Sequence, residues 1–136
     1  MDSLILAEKL ESLRRCVRRI EEKRAASAEA LAEDPDRQDI LSLNISRAVQ
    51  LCVDMAAHVL SDTDQSAPQS MGEAFDLLAA EGVISSTLKD RMRAAVGFRN
   101  VAVRQYQDIN WAIVHDITEG GLEDFRQFAR AMSKLI

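Results

Sequence analysis

Apolar residues recur every three to four positions along most of this chain, the spacing that places them on one face of an α-helix. In residues 3–24, Leu6, Leu10, Leu13, Val17 and Ile20 form one such stripe, and Asp2 or Ser3 can accept the free N–H groups at its start. The following AASAEALAED (25–34) carries no stripe, so the first helix is expected to fray there or run on exposed. Asp34-Pro35 then reads as a helix start, an N-cap residue followed by proline at the first helical position. The second helix carries Leu41, Ile45, Ala48, Cys52, Met55 and Val59 and stops at the polar SDTDQSAP (61–68). Ser70 and Glu73 fit a capping box opening the short helix AFDLLAAE, which Gly82 closes. Ser85 or Ser86 caps the next helix, which uses Leu88, Met92, Ala95 and Val96 and runs towards Gly97 and Arg99. A last helix begins near Asp108 or Asn110 and reaches about Lys134. Its stripe, Val114, Ile117, Gly121, Phe125, Phe128, Met132 and Leu135, keeps one register across Gly120-Gly121. That favours a continuous helix, weakened by about 1 kcal/mol per glycine, with a close helix approach at Gly121. No period-two pattern competes, and the fold predicted is all-α: an antiparallel helical bundle of about five helices, one domain over 1–136.

Composition agrees with this pattern and narrows the setting. The 136 residues are 47% hydrophobic and 29% charged, with 5 glycines and 2 prolines, the balance of a soluble helical domain. No apolar run approaches the ~18 residues that span a bilayer. The N-terminal MDSLILAEKLESLRR lacks the basic stretch of a secretory signal, so no membrane association and a cytoplasmic location are expected. Cys16 and Cys52 fall on the apolar stripes and read as buried thiols rather than a disulfide or metal pair.

A formal charge of −5 argues against a surface coated for general nucleic-acid binding, yet the cations are grouped. Arg14, Arg15, Arg18, Arg19, Lys23 and Arg24 form one band, and Lys89, Arg91, Arg93, Arg99 and Arg104 a second. Such bands either bind RNA locally or are the solvated faces of amphipathic helices. For the first, Glu11, Glu21 and Glu22 stand where they can pair along the helix.

The usual signatures of chemistry are missing: no glycine-rich phosphate loop, HExxH or GxSxG, and no clustered cysteine and histidine, so no metal or bound cofactor is expected. The histidines are His58 and His115. Asp54 and His58, four apart, share a helix face and read as a structural pair; His115 is a boundary residue and Trp111 a packing anchor. What remains is GFRNVAVRQYQDIN (97–110), where Arg99, Asn100, Arg104, Gln105 and Tyr106 gather between two helices and Val101 and Val103 tie them to the core. Residues five apart on a helix point ~140° apart. Arg99 and Arg104 therefore need a distorted helix end, or a second subunit, to share a site.

This segment resembles the signature of HEPN-domain ribonucleases, Arg-x(4–6)-His, and specifically the HepT toxin pattern R-N-x-x-x-H-x-Y. It matches at Arg99, Asn100 and Tyr106 and departs at Arg104, which stands where the family has histidine. LCVDMAAHVL, SMGEAFDLLAAEGVIS and LEDFRQF are similar to HepT-like chains in kind and order, so the resemblance covers nearly the whole sequence. It implies a small helical homodimer whose motif residues line a cleft between protomers. It also implies a metal-independent endoribonuclease toxin acting on RNA rather than DNA, and an MNT-type nucleotidyltransferase antitoxin that silences it by transferring AMP to Tyr106. By the same resemblance Arg99 binds phosphate and stabilises the transition state, and Asn100 supports the site. Arginine does not exchange protons near neutral pH as histidine does. Three explanations of Arg104 stay open: a detoxifying substitution, a natural binding-only relative, or an active variant using another acid or base such as Asp54 or His58.

Overall fold

In the computed structural model, which describes residues 2–136, each predicted helix start is made by the expected cap. Helix α1 (Ser3–Glu22) begins at Asp2, whose carboxylate accepts the Leu4 N–H at 2.9 Å. Helix α3 (Pro35–Leu60) begins at Asp34, which accepts the Arg37 N–H. Helix α4 (Met71–Ala80) is capped by Ser70, while Glu73 reaches back to the Gln69 N–H. Helix α5 (Ser86–Arg104) is capped by Ser85. Asn110 caps the last rod, made of α6 (Trp111–Asp116), a π-helical turn (Ile117–Gly121) and α7 (Leu122–Ser133).

Between α1 and α3 the chain neither frays nor runs on. A one-turn helix, α2 (Ala28–Ala32), capped by Ser27, drives Leu31 fully into the core. Five residues are too few to show a stripe, so the pattern was silent there. Arg37 closes the gap by donating to the first carbonyls past α1, Lys23 O at 3.0 Å and Arg24 O at 3.3 Å.

Direction alternates from α3 to α1 and from α1 to α7. His58 meets the Asp2 carbonyl while Arg37 meets Lys23, so α1 and α3 are antiparallel. Arg126 with Glu21 and Arg14 with Ser133 set α7 antiparallel to α1. Five elements, the long α1, α3, α5 and α6–α7 rod with the shorter α4, make the predicted bundle. Every stripe residue predicted on the first two helices is buried, Cys52 included, and both cysteines are free thiols. Burial pushes both thiols up, Cys52 the further. By length and composition α3 could cross a membrane. Its apolar side is occupied here by the other helices.

Two expectations for the last rod are corrected. The register does not pass unbroken through Gly120-Gly121: the π turn adds a residue there, and the buried face steps to Thr118 and Leu122 while Ile117 and Gly121 stay only half-buried. Nor does a neighbouring helix approach Gly121 closely, since a Cβ there would meet only Ile117 of the same turn, at 3.4 Å. At the end of α4, Gly82 takes φ +75° in a Schellman turn, with the Val83 N–H on Leu78 O. Gly82→Ala meets no steric neighbour. Its backbone conformation alone is expected to lower stability by about 1 kcal/mol in urea unfolding.

Candidate functional site

Helix α5 does not end near Arg99. Val101 and Ala102 continue its packed face, and the helix closes only when Gln105, at φ −141° and ψ 54°, donates its N–H to Val101 O. Arg99, Asn100 and Arg104 are therefore helical residues of the last two turns, and Tyr106 follows in a 3₁₀ turn, Tyr106–Asp108. Val101 packs against the core as expected. Val103 does not: it is 56% exposed.

The reorientation at Gln105 swings Tyr106 back over α3. Its hydroxyl donates a hydrogen bond to Asp39 Oδ1, and its ring meets Trp111 edge-on at 5.9 Å between centroids. Three turns further along α3, Gln50 Oε1 accepts from Arg99 Nη2 at 3.4 Å, while Arg99 Nη1 donates to Asn100 Oδ1 at 3.3 Å. Gln50 in turn donates to Asp54, which also faces Lys9 at 3.7 Å. Arg99, Asn100 and Tyr106 so lie along one flank of α3, between Asp39 and Gln50. Arg104 is exposed and, among the described residues, makes no hydrogen bond or ion pair.

The predicted Asp54–His58 pair does not form, because Asp54 is held by Gln50 and Lys9 and His58 Nε2 turns to the Asp2 carbonyl. His115 is a boundary residue as expected. Its Nε2 is buried without a hydrogen bond among the described residues, with Glu119 Oε1 3.5 Å away.

The second basic band carries its unpaired charge on the same flank. In the first basic band Arg18 and Arg19 pair with Glu11 and Glu22, and Arg24 donates to Thr118 O. In the second, Lys89, Arg91 and Arg93 pair with Asp90, Asp124 and Asp76. Arg99 and Arg104 are left without a carboxylate partner among the described residues, so the positive charge of that band is uncompensated only at the motif. Partial burial, followed by the hydrogen bond to Asp39 and that residue's negative charge, pushes the Tyr106 phenol up, while the polar Ser42 hydroxyl works the other way. Tyr106 thus stays a neutral donor at physiological pH.

Asp39, Ser42 and Gln50 escaped sequence reasoning. With Ser46 they make a polar stripe at steps of three and four along α3, beside its apolar stripe. Ser42 is buried and Gln50 half-buried, as a stripe facing another helix requires. A groove of about 480 Å³ between α5 and the π turn is lined by apolar residues such as Ile113, Ile117 and Phe125 with Asp90, Arg91, Asp116 and Asp124 among them, and none of the motif residues reaches it. No group of three or more metal-ligating side chains occurs among the described residues.

Residues 13–132 match the ribonuclease HepT-like family model. The chain is 35% identical over 124 residues to the mRNA nuclease HepT of Shewanella oneidensis, covering 91% of this chain and 92% of that one. Among solved structures it is similar to a toxin–antitoxin complex with AMP-PNP, at TM-score 0.89 and 32% identity over 96% of this chain and 98% of that one. It is equally similar to the tri-AMPylated HEPN toxin of Shewanella oneidensis in complex with MNT antitoxin, at TM-score 0.89 and 33% identity over 96% and 97%.

Proposed function

The chain belongs to the HepT-like ribonuclease family, and from that premise we propose that it is the toxin of a HepT/MNT toxin–antitoxin pair, a cytoplasmic one-domain homodimer whose Tyr106 accepts AMP and whose RNA cleavage is impaired by Arg104. The observation that carries this reading is the flank of α3 on which Arg99, Asn100 and Tyr106 converge, with Arg99 free of any carboxylate partner among the described residues.

RNA cleavage through its own 2′-hydroxyl requires a base, an acid and stabilisation of the charge that develops on the phosphoryl oxygens. It needs no metal if side chains supply all three. Arg99, with its planar fork and its orientation fixed by Gln50 and Asn100, meets the third requirement. Arg104 adds a cation but no exchangeable proton. Asp54 reaches Arg99 only through Gln50, and His58 turns to the Asp2 carbonyl, so neither touches Arg99, Asn100, Arg104 or Tyr106 directly among the described residues. Exposed Leu43 and Val103 give the motif flank an apolar margin on which a second protomer can pack, bringing the Arg99 and Arg104 of two chains to one cleft.

Tyr106 is 40% exposed, enough for a second enzyme to reach its hydroxyl. AMP on that oxygen places bulk and negative charge where RNA phosphate would bind, which closes the site. Incubated with the partner nucleotidyltransferase and ATP, the protein is expected to gain AMP in discrete mass steps, all on the peptide holding Tyr106, and Tyr106→Phe to gain none. An unmodified wild-type chain would refute the reading. The same experiment serves the alternative that Arg104 favours, a non-catalytic subunit that presents Tyr106 to the transferase; restoration of cleavage by histidine separates the two.

A further inference from the structure

An acceptor tyrosine must lose its proton as it attacks, and the groups around Tyr106 say where that proton goes. The phenol is not ionised in advance, because burial and Asp39 hold it in the neutral form. No lysine, arginine or histidine bonds to its oxygen among the described residues. Its hydrogen-bond partner is Asp39, which accepts its proton, while the nearby Ser42 hydroxyl donates to the Asp39 carbonyl and is no base at neutral pH. The Trp111 ring edge keeps the tyrosine in that pose.

We infer that the Asp39 carboxylate is the proton acceptor when Tyr106 is nucleotidylated, an inference that rests on the AMP-acceptor reading above. The Tyr106 oxygen attacks the α-phosphorus of ATP. The new O–P bond forms as the bond from that phosphorus to the α,β-bridging oxygen breaks, pyrophosphate leaves, and the phenolic proton passes along the existing hydrogen bond to Asp39 Oδ1. A base in hydrogen-bond contact before the reaction starts has the geometry that general-base catalysis requires.

The same contact has a second consequence. After transfer the tyrosine oxygen is an ester oxygen with no proton to donate, and Asp39, once it releases its proton to water, faces a phosphodiester anion. Two like charges replace a hydrogen bond, so the modified side chain is expelled from α3. Asp39 thereby promotes the transfer and then prevents the modified tyrosine from returning to its unmodified position.

The test is the single-turnover rate of AMP transfer from ATP by the partner nucleotidyltransferase, followed by intact mass. Asp39→Asn keeps an acceptor oxygen for the Tyr106 hydroxyl but removes its basicity, and the rate is expected to fall about 100-fold, within the range for loss of a general base. Asp39→Glu should recover part of it. Asp36→Asn, an exposed carboxylate in the first turn of the same helix, should leave the rate unchanged. Melting curves establish that each variant is folded. An Asp39→Asn rate within tenfold of wild type overturns the inference and assigns the proton to the partner enzyme, while leaving Tyr106 as the acceptor. Failure of the wild-type chain to be labelled overturns the acceptor reading, and this inference with it.

Discussion

Arg104→His is expected to turn this chain into an active ribonuclease, raising RNA cleavage by about 10²–10⁴-fold and arresting growth of cells that express it without a partner. The magnitude follows from what the substitution changes. Binding of phosphate survives in either form, because arginine and protonated histidine are both cations. The gain is the ability to give and take a proton at neutral pH, which a group titrating above about 12 lacks and one near 6.5 has. The backbone needs no adjustment, since position 104 is in the last turn of α5, exposed and free of any hydrogen bond that histidine would have to replace. In the Arg104→His background, Arg99→Ala should abolish the restored cleavage, because it removes charge stabilisation that the histidine cannot supply. Gln50→Ala should reduce it more mildly by freeing the Arg99 side chain to leave its pose. Asp54→Asn should matter least, being one hydrogen bond further out. Cleavage of total RNA and growth after induction are the measurements. An Arg104→His chain that is harmless and inert towards RNA would exclude the toxin reading and leave the subunit that presents Tyr106.

How much of this arrangement was legible beforehand depends on the range of the interaction. Helix starts at Asp34, Ser70, Ser85 and Asn110 were readable because a cap is a contact between near neighbours, and the local sequence contains both partners. The stripes of α1 and α3 were readable because burial repeats with the helical period. Leu31 was not, because a single turn has no period to detect. The π turn was invisible for a different reason. An inserted residue leaves the spacing of apolar side chains almost unchanged while moving the buried face by one position, and only the burial of Thr118 and Leu122 reveals the shift. At the site, the motif residues could be named from the chain, but their partners could not. Asp39 and Tyr106 are 67 positions apart, and Gln50 and Arg99 are 49 apart. The polar stripe on α3 held the information that something polar packs there, without saying which residue it meets.

Phe128→Ala is expected to be the most destabilising single change in the bundle, and its effect on the site is expected to be indirect. Phe128 of α7 is fully buried and meets Phe75 of α4 edge-to-face, with ring centroids 5.7 Å apart and planes at 83°. Truncating a buried phenylalanine removes about 3–5 kcal/mol through lost transfer energy and the cavity left behind. The edge-to-face pair contributes about 0.5–1.5 kcal/mol of that. Against a total stability of about 5–15 kcal/mol this is a large fraction. At about 3–5 °C per kcal/mol for a chain of this size, the melting midpoint should fall by roughly 10–20 °C. Phe128→Leu should lose less, since it keeps most of the apolar contact and gives up mainly the ring geometry. A cycle with Phe75→Leu should return a coupling near the aromatic-pair value. The link to function runs through α4, which packs on α5 and so supports the helix that carries Arg99 and delivers Tyr106 to Asp39. Because that support is mechanical, AMP transfer to Phe128→Ala should proceed at the wild-type rate below its lowered midpoint and collapse above it, whereas Asp39→Asn should be slow at every temperature. A midpoint that falls by less than about 5 °C would mean that the α4–α7 contact is not the centre of the core; slow transfer below the midpoint would mean that the pose of Tyr106 depends on packing across the whole bundle.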